Sequence, residues 1–517
     1  MRNRLANGGG YPFLLLAWLL YAWHAWSFGW CLQDDAFISL RYARNLAEGI
    51  GLVYNPGEYV EGFTNFLWTI GMAALFVLDL PPVKALWLAG LTSGGLALWA
   101  AFDLARTLAP EPLRGAAGGS AAVIAACLPF FVAESVMGLE TAFFAALSVA
   151  GIARYLRETT SPPGRRLPIS GVILAMATLT RPEGALIAGL AGLSNLFGLA
   201  RERCRPDTSF WVRWLLFALP VIGLEAFRWL YYGDLVPNTF HAKVGGGMTA
   251  LLRGLTYTGE FVWHAFPLLI AAGAGAWVLL QKRDRRPLAT LPFALPWIFI
   301  AYVAWVGGDY KPTFRFFATP ALFFAAWAGV GLVSWFSSDR NRPIANFLLV
   351  AGSVCLAGAI LVGLGGGARE FARWRAQVLP VHRAAGAWLG THFEQNTWMA
   401  TGNAGVLPYE SSLPTIDMYG LCDRHIAQRR MPHMGEGPPG HEKGDGAYVL
   451  ERNPRLILFM RARFSQQPIT EQAIASMRKS VSERELWEHP EFHERYALRS
   501  QRLPGFYFNY FERKEGP

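Results

Sequence analysis

The chain is poor in charge. Of its 517 residues only 16% are Asp, Glu, Lys or Arg, against 53% hydrophobic and 14% aromatic, whereas a soluble domain is about a quarter charged. That shortage excludes a disordered chain, a coiled coil and a string of soluble domains. Cysteine is also scarce: Cys31, Cys127, Cys204, Cys355 and Cys422 are scattered, with no paired or metal-ligand spacing, so a disulfide scaffold or a Cys-built zinc site is excluded. There is no Walker loop, dinucleotide fingerprint or HExxH motif, and no internal repeat or low-complexity tract. ATP-driven transport and redox chemistry therefore lack their signatures. The net charge of +10 and pI of about 9.4 come from short basic clusters between apolar runs. Such clusters are topology signals, and no nucleic-acid partner is expected.

What the chain has in quantity is long apolar runs: 11–30, 83–106, 117–133, 138–157, 169–180, 184–198, 211–231, 251–281, 288–306, 314–336 and 343–366. Most are close to the roughly 20 residues a helix needs to cross the hydrocarbon core. The reading is a polytopic α-helical membrane protein. Arg2 and Arg4 precede the first run, as in a signal peptide, but no small-x-small site precedes Gln33, so an uncleaved first span is expected. The stretch from Asn65 to Leu78 has 14 residues and suits an interfacial or re-entrant segment better than a span.

Basic residues set the sidedness. Without 65–78 there are eleven spans, with the N-terminus inside and the C-terminus outside. The inner segments 1–10, 106–116, 154–168, 201–213, 281–287 and 337–343 then carry 18 Lys and Arg, against nine in the outer loops before residue 368. This is the bias of the positive-inside rule. After Gly367 the composition changes: residues 368–517 hold 37 charged side chains, against 47 in the first 367. Pro and Gly cluster at 432–446, and short runs such as Leu456 to Met460 read as strands. The expected organisation is a membrane catalytic domain over 1–367, with juxtamembrane helices in a first outer loop at 31–82, and a soluble α/β domain over 368–517 on the outer face.

In this topology the unusual polar residues gather on one side. They are Asp34 and Asp35, Glu140, Arg181 and Glu183, the run Pro237 to Lys243, and the run Gly307 to Arg315. Ionisable groups at membrane depth are costly and mark cavities or substrate paths. Asp34 and Asp35 open an amphipathic segment, Ala36 to Gly49. One carboxylate can cap that helix, which leaves the other as a general base for a hydroxyl or as half of a divalent-metal site. Asn55-Pro-Gly is turn chemistry, while Glu61 and Thr64 are candidates for substrate contact. Arg181, Lys243 and Arg315 suit a lipid phosphate. The structural alternative is pairing with Glu183, Asp309 or headgroups, and Glu140 could equally favour a helix N-terminus. His441, in Gly440-His441-Glu442-Lys443, lies in a polar Pro/Gly loop.

The run Asp34-Asp-Ala-Phe-Ile-Ser-Leu-Arg41-Tyr42-Ala-Arg-Asn-Leu-Ala-Glu-Gly, then Asn-Pro-Gly-Glu and Val-Glu61-Gly-Phe-Thr64, resembles the GT-C fold membrane glycosyltransferases. The branch it resembles contains the terminal β-(1→2) arabinofuranosyltransferase of mycobacterial cell walls and its proteobacterial relatives. Gly-Leu-Glu140-Thr, Thr-Arg181-Pro-Glu183-Gly, Pro-Asn238-Thr-Phe-His241-Ala-Lys243, Gly-Gly-Asp309, Asp417-Met-Tyr-Gly-Leu-Cys-Asp423 and Gly-His441-Glu-Lys443 are similar to further family segments. The matches span residues 34 to 443; each is weak alone and together they are fairly specific.

The resemblance implies a polyprenyl-phosphate sugar donor, transfer on the periplasmic side of a bacterial inner membrane, and a glycan or protein acceptor. It also implies an acidic residue of the first outer loop, Asp34 or Asp35, as base or metal-binding group, with Asp34 the first choice. Arg41, Tyr42, Glu61, Thr64, Glu140, Arg181, Glu183, Asn238, His241, Lys243, Asp309, Arg315, His441 and Lys443 become substrate-binding candidates. No cofactor is assigned; a divalent metal, held by Asp34 and Asp35, is left open. The alternatives are a GT-C enzyme using another lipid-linked sugar, a flippase of lipid-linked sugars, and a non-catalytic assembly factor. A transport path would carry its polar residues through the midplane.

Overall fold

The computed structural model describes residues 10–161, 167–280, 286–336, 342–477 and 479–515. Parts of the basic segments 1–10, 154–168, 281–287 and 337–343 lie outside the described residues. The chain divides into two compact units. One comprises Met1–Cys31, Leu86–Glu225 and Leu252–Arg373; the other comprises Leu32–Ala85, Ala226–Leu251 and Trp374–Pro517.

The first unit is helical. Its apolar runs form Tyr11–Phe28, Pro82–Leu108, Thr141–Thr159, Ser170–Thr180, Gly184–Glu202, Thr208–Tyr232, Gly247–Leu280, Arg286–Trp305 and Ala318–Phe336. The run 117–133, expected as one span, is instead two helices, Arg114–Ala126 and Pro129–Val136, bent by 68°. Pro129 explains the break: it has no N–H to continue the first helix, but its fixed φ suits the first turn of a new one. By length and composition four described helices can cross a membrane, or five if the bent pair is one span. Leu230, Trp263 and Trp277 are 83%, 80% and 70% exposed, an apolar exterior that suits lipid and not water. This is a multi-pass membrane protein.

Helices pack here through small residues, since lipid tails leave no hydrophobic drive for association. Gly275 and Gly331 meet backbone to backbone: a Cβ on Gly275 would lie 2.0 Å from the Trp327 carbonyl oxygen, and one on Gly331 2.6 Å from the Gly275 nitrogen. Away from these contacts Glu158, buried, joins three helices. It accepts from Arg154 (2.7 Å), Arg213 (3.2 Å) and the Ser170 N–H (3.1 Å).

The last apolar run does not stop at Gly367. It continues as one helix, Arg342–His392, of 51 residues, so the division expected at 367/368 falls inside it. Glycine weakens a helix by about 1 kcal/mol per residue, yet Gly367 abuts Pro312, and Ala368 and Ala372 are fully buried in the core. Tertiary packing overrides the local preference.

The second unit carries helices Asp34–Ala47 and Phe66–Val77, the latter only 12 residues and about 18 Å long, short of the hydrocarbon thickness. It also carries a six-stranded mixed sheet. Strands β1 (Met399–Thr401), β2 (Thr415–Asp417) and β3 (Leu456–Leu458) are parallel. Strand β6 (Phe506–Arg513) runs antiparallel to β3, to β4 (Phe464–Ser465) and, along its whole length, to β5 (Tyr496–Leu503). Each of β1–β3 is only three residues and fully buried, so no alternation of polar and apolar residues marks them.

Gly275→Ala is expected to overpack the helix contact at a cost of about 1–3 kcal/mol, lowering the thermal midpoint in detergent. Gly259→Ala on the same helix, with nothing within 4 Å of the new Cβ, should leave the midpoint unchanged. Equal midpoints for both variants would contradict the close crossing.

Candidate functional site

Asp34 is the first residue of its helix, and the cap position before it is Gln33. The carboxylate caps nothing in its own helix. Oδ2 accepts from the Gly405 N–H (3.1 Å) and Oδ1 from the Val406 N–H (3.0 Å), so two amides 371 and 372 residues away fix its orientation. Asp34 and Asp35 are both half-buried. Among the described residues no three His, Cys, Asp or Glu side chains gather where they could hold a metal ion.

Seven residues on, the same helix presents Arg41. It was expected at the substrate, but its guanidinium is buried and spent on the protein. Nε donates to the Tyr54 carbonyl (2.8 Å), Nη1 to Pro408 (2.8 Å), and Nη2 to Leu413 (2.8 Å) and Asn55 Oδ1 (3.2 Å). Tyr42 is likewise interior, with its hydroxyl donating to Val60 and accepting from the Gly62 N–H. Glu61, another expected contact, is buried against Arg228 Nε at 3.1 and 3.0 Å. Thr64 is half-buried. The Asn55 side chain joins the turn to β2 through the Thr415 carbonyl and N–H.

Asn238 is a clamp. Its side-chain N–H groups donate to the carbonyls of Gly420 (2.8 Å), Leu421 (3.0 Å) and Asp423 (3.2 Å). The same loop is held from within by Asp417, which is fully buried and accepts from the Tyr419 N–H (3.0 Å) and the Cys422 N–H (2.8 Å). Nearby, His241 pairs with Asp234 at 2.9 Å. The Lys243 stem passes within 3.3 Å of where a Gly440 side chain would begin, and His441 packs edge-on to Tyr419 at 4.6 Å. Lys443 is buried and donates to the Arg429 carbonyl. The Pro/Gly loop is thus a folded element pinned by polar contacts.

The remaining candidates belong to the other unit and do come together. Arg181 forks onto Glu183 (Nε–Oε2 3.2 Å, Nη2–Oε1 2.8 Å) and donates through Nη1 to Glu140 (2.8 Å). Among the described residues three of its five N–H groups are so used, which leaves two. Arg315 pairs with Asp309 at 2.5 Å. Both guanidiniums lie 5.1 Å from the Phe316 ring centroid. Phe314, just before Arg315, has φ of 47°, a left-handed conformation that is strained for a bulky residue and recurs at functional sites.

Sequence reasoning missed two further members of this group. Glu134, fully buried on the short helix after the bend, accepts from Thr313 at 2.6 Å, and Lys311 is buried in the same loop as Asp309. A carboxylate inside an apolar run was the available signal for Glu134.

The fold is similar to those of two solved proteins. ArnT from Cupriavidus metallidurans bound to undecaprenyl phosphate superposes with a TM-score of 0.54 at 12% identity, over 79% of this chain and 85% of that one. The archaeal oligosaccharyltransferase AglB from Archaeoglobus fulgidus, in complex with an inhibitory peptide and a dolichol-phosphate, gives 0.56 at 13% identity, over 98% and 74%. In sequence the chain is similar to the terminal β-(1→2)-arabinofuranosyltransferases of Mycobacterium tuberculosis, 29% identical over 408 residues, and of Corynebacterium glutamicum, 29% identical over 334 residues. Those alignments cover 72% and 57% of this chain. The chain spans 58% and 47% of the length of these two relatives. Residues 369–507 match a domain of unknown function, DUF8728.

Two outcomes follow from the second unit. Asn238→Ala removes three bonds to one loop and is expected to cost about 1–3 kcal/mol, seen as a lower thermal midpoint. Asn238→Asp should not restore it, because a carboxylate cannot donate. Burial raises the Asp417 carboxyl to about 7, against the pull of the Cys422 and Tyr419 amides. The folded chain then binds this proton more tightly than the unfolded one, so the contribution is fullest in acid and is lost as pH rises from about 4 through about 7. Thermal midpoints measured across that range should lose this slope in Asp417→Asn; an unchanged slope would assign it elsewhere.

Proposed function

We propose that the chain is a membrane glycosyltransferase that moves D-arabinofuranose from a polyprenyl-phosphate donor to a hydroxyl of a glycan or protein acceptor, on the periplasmic face of a bacterial inner membrane. The reading follows from the similarity to named arabinofuranosyltransferases and from the fold, whose relatives include proteins bound to undecaprenyl phosphate and dolichol-phosphate. The observation that carries it is Asp34. Two amides hold its carboxylate, and each oxygen keeps a further acceptor position for a hydroxyl proton.

The chemistry is a displacement. The acceptor oxygen bonds to the anomeric carbon as its proton passes to Asp34. The bond from that carbon to the phosphate oxygen breaks, and polyprenyl phosphate leaves with the electron pair. The leaving phosphate needs N–H donors fixed in advance, and the sequence candidates for that role are Arg181, Lys243 or Arg315. Eleven spans, with the C-terminal domain outside, are part of the same proposal.

The test is transfer by purified protein in detergent, from polyprenyl-phospho-arabinofuranose and from hexose donors, to a panel of glycan and protein acceptors. Transfer from the pentose donor is expected. Arg181→Lys keeps the charge but loses the fork, and should raise the donor KM by about tenfold or more. Transfer from a hexose donor alone would overturn the sugar assignment. Movement of lipid-linked sugar between leaflets without transfer would replace the enzyme by a transporter.

A further inference from the structure

The amides that hold Asp34 belong to a segment, 403–406, that is itself held from below. Arg463 is buried. Its Nη1 donates to Asn403 Oδ1 at 2.6 Å and its Nη2 to His382 Nε2 at 2.8 Å. Arginine can only donate, so the imidazole must accept at Nε2 and carry its proton on Nδ1, which faces the Val378 carbonyl at 2.9 Å. Burial, and then the Arg463 charge, push that imidazole down to about 2, which keeps it neutral and able to accept. The Asn403 N–H donates to Thr401 Oγ1 at 3.3 Å, at the end of β1, and the Tyr54 hydroxyl donates to the Ala404 carbonyl at 2.7 Å. At Gly405 a Cβ would lie 2.0 Å from the Asp34 carbonyl oxygen, so the segment approaches Asp34 as closely as a backbone can.

We propose that Arg463 is a positioning residue for Asp34, acting through Asn403 to fix the two amides that aim the carboxylate. The proposal deepens the reading of Asp34 as base and rests on it. The groups that feel the Asp34 charge include Arg463 and Tyr54, with Asp35 adjacent in sequence. Arg463 in turn feels Asp34, Glu483, Tyr419 and Arg375. A second anchor acts on the same helix: Arg375 Nε and Nη2 both donate to the Leu32 carbonyl, at 3.2 and 2.9 Å, two residues before Asp34. The outer domain would therefore complete the catalytic setting.

The experiment uses the full chain in detergent and two readouts. In Arg463→Met, a small displacement of Asp34 should lower kcat by roughly 100-fold while the donor KM stays within about twofold. Placed in an Asp34→Asn background, the same change should cost nothing more, because residues acting as a unit are not additive. Asn403→Leu should behave like Arg463→Met, and Asn403→Asp, which keeps the acceptor, should restore activity. Amide hydrogen exchange at Gly405 and Val406 should quicken in Arg463→Met and Asn403→Leu. An unchanged kcat, a full multiplicative loss on top of Asp34→Asn, or unchanged exchange at 405–406 would overturn the proposal. Wild-type protein inactive with every donor would sink the enzyme reading by itself, and the exchange rates would still decide whether Arg463 holds the two amides. If Arg463→Met fails to fold, the Asn403 pair carries the test.

Discussion

The grip of two backbone amides on the Asp34 carboxylate organises the second unit. A carboxylate at the start of a helix ordinarily serves that helix, through its cap or its dipole. Here it reaches across to Gly405 and Val406, while Arg41, two turns on, takes the carbonyls of Pro408 and Leu413. One helix thus fastens both ends of the segment 405–413. Glu61 with Arg228 and the Asn238 clamp add two more polar ties. Buried charges are tolerable when paired and hydrogen-bonded, and nearly every one in this unit is used as a fastener.

The first unit follows the same economy with a different result. Arg181 is matched by Glu140 and Glu183, and Arg315 by Asp309, but among the described residues Arg181 keeps two N–H groups unspent. Carboxylates that hold an arginine fork in a fixed plane also aim its remaining donors, as a phosphate ligand requires. The left-handed Phe314 beside Arg315 is a local strain of the kind that surrounding packing must sustain.

Much of the helical frame was legible because a crossing helix needs a long apolar run, and length is visible in one dimension. The break at Pro129 was not, since proline in an apolar run can equally kink a helix or open a new one. Nor was the persistence of the last helix through Gly365, Gly366 and Gly367, which depends on packing that local propensity does not encode. Among the candidates, the pairing of Arg181 with Glu183 was foreseeable from their closeness in sequence, and was weighed as the structural alternative. The roles of Arg41 and Glu61 were not, because their partners Pro408, Leu413 and Arg228 lie 167 to 372 residues away. Arg463 and His382 carried no motif, and only the folded contacts connect them to Asp34.

The most direct measurement is a cryo-EM map of the full chain with bound polyprenyl phosphate and an acceptor analogue that cannot be glycosylated. The expected result is an acceptor hydroxyl within hydrogen-bond distance of Asp34, with the Gly405 and Val406 amides still on its carboxylate. An acceptor seated out of reach of Asp34 would contradict the assignment of that residue as the base.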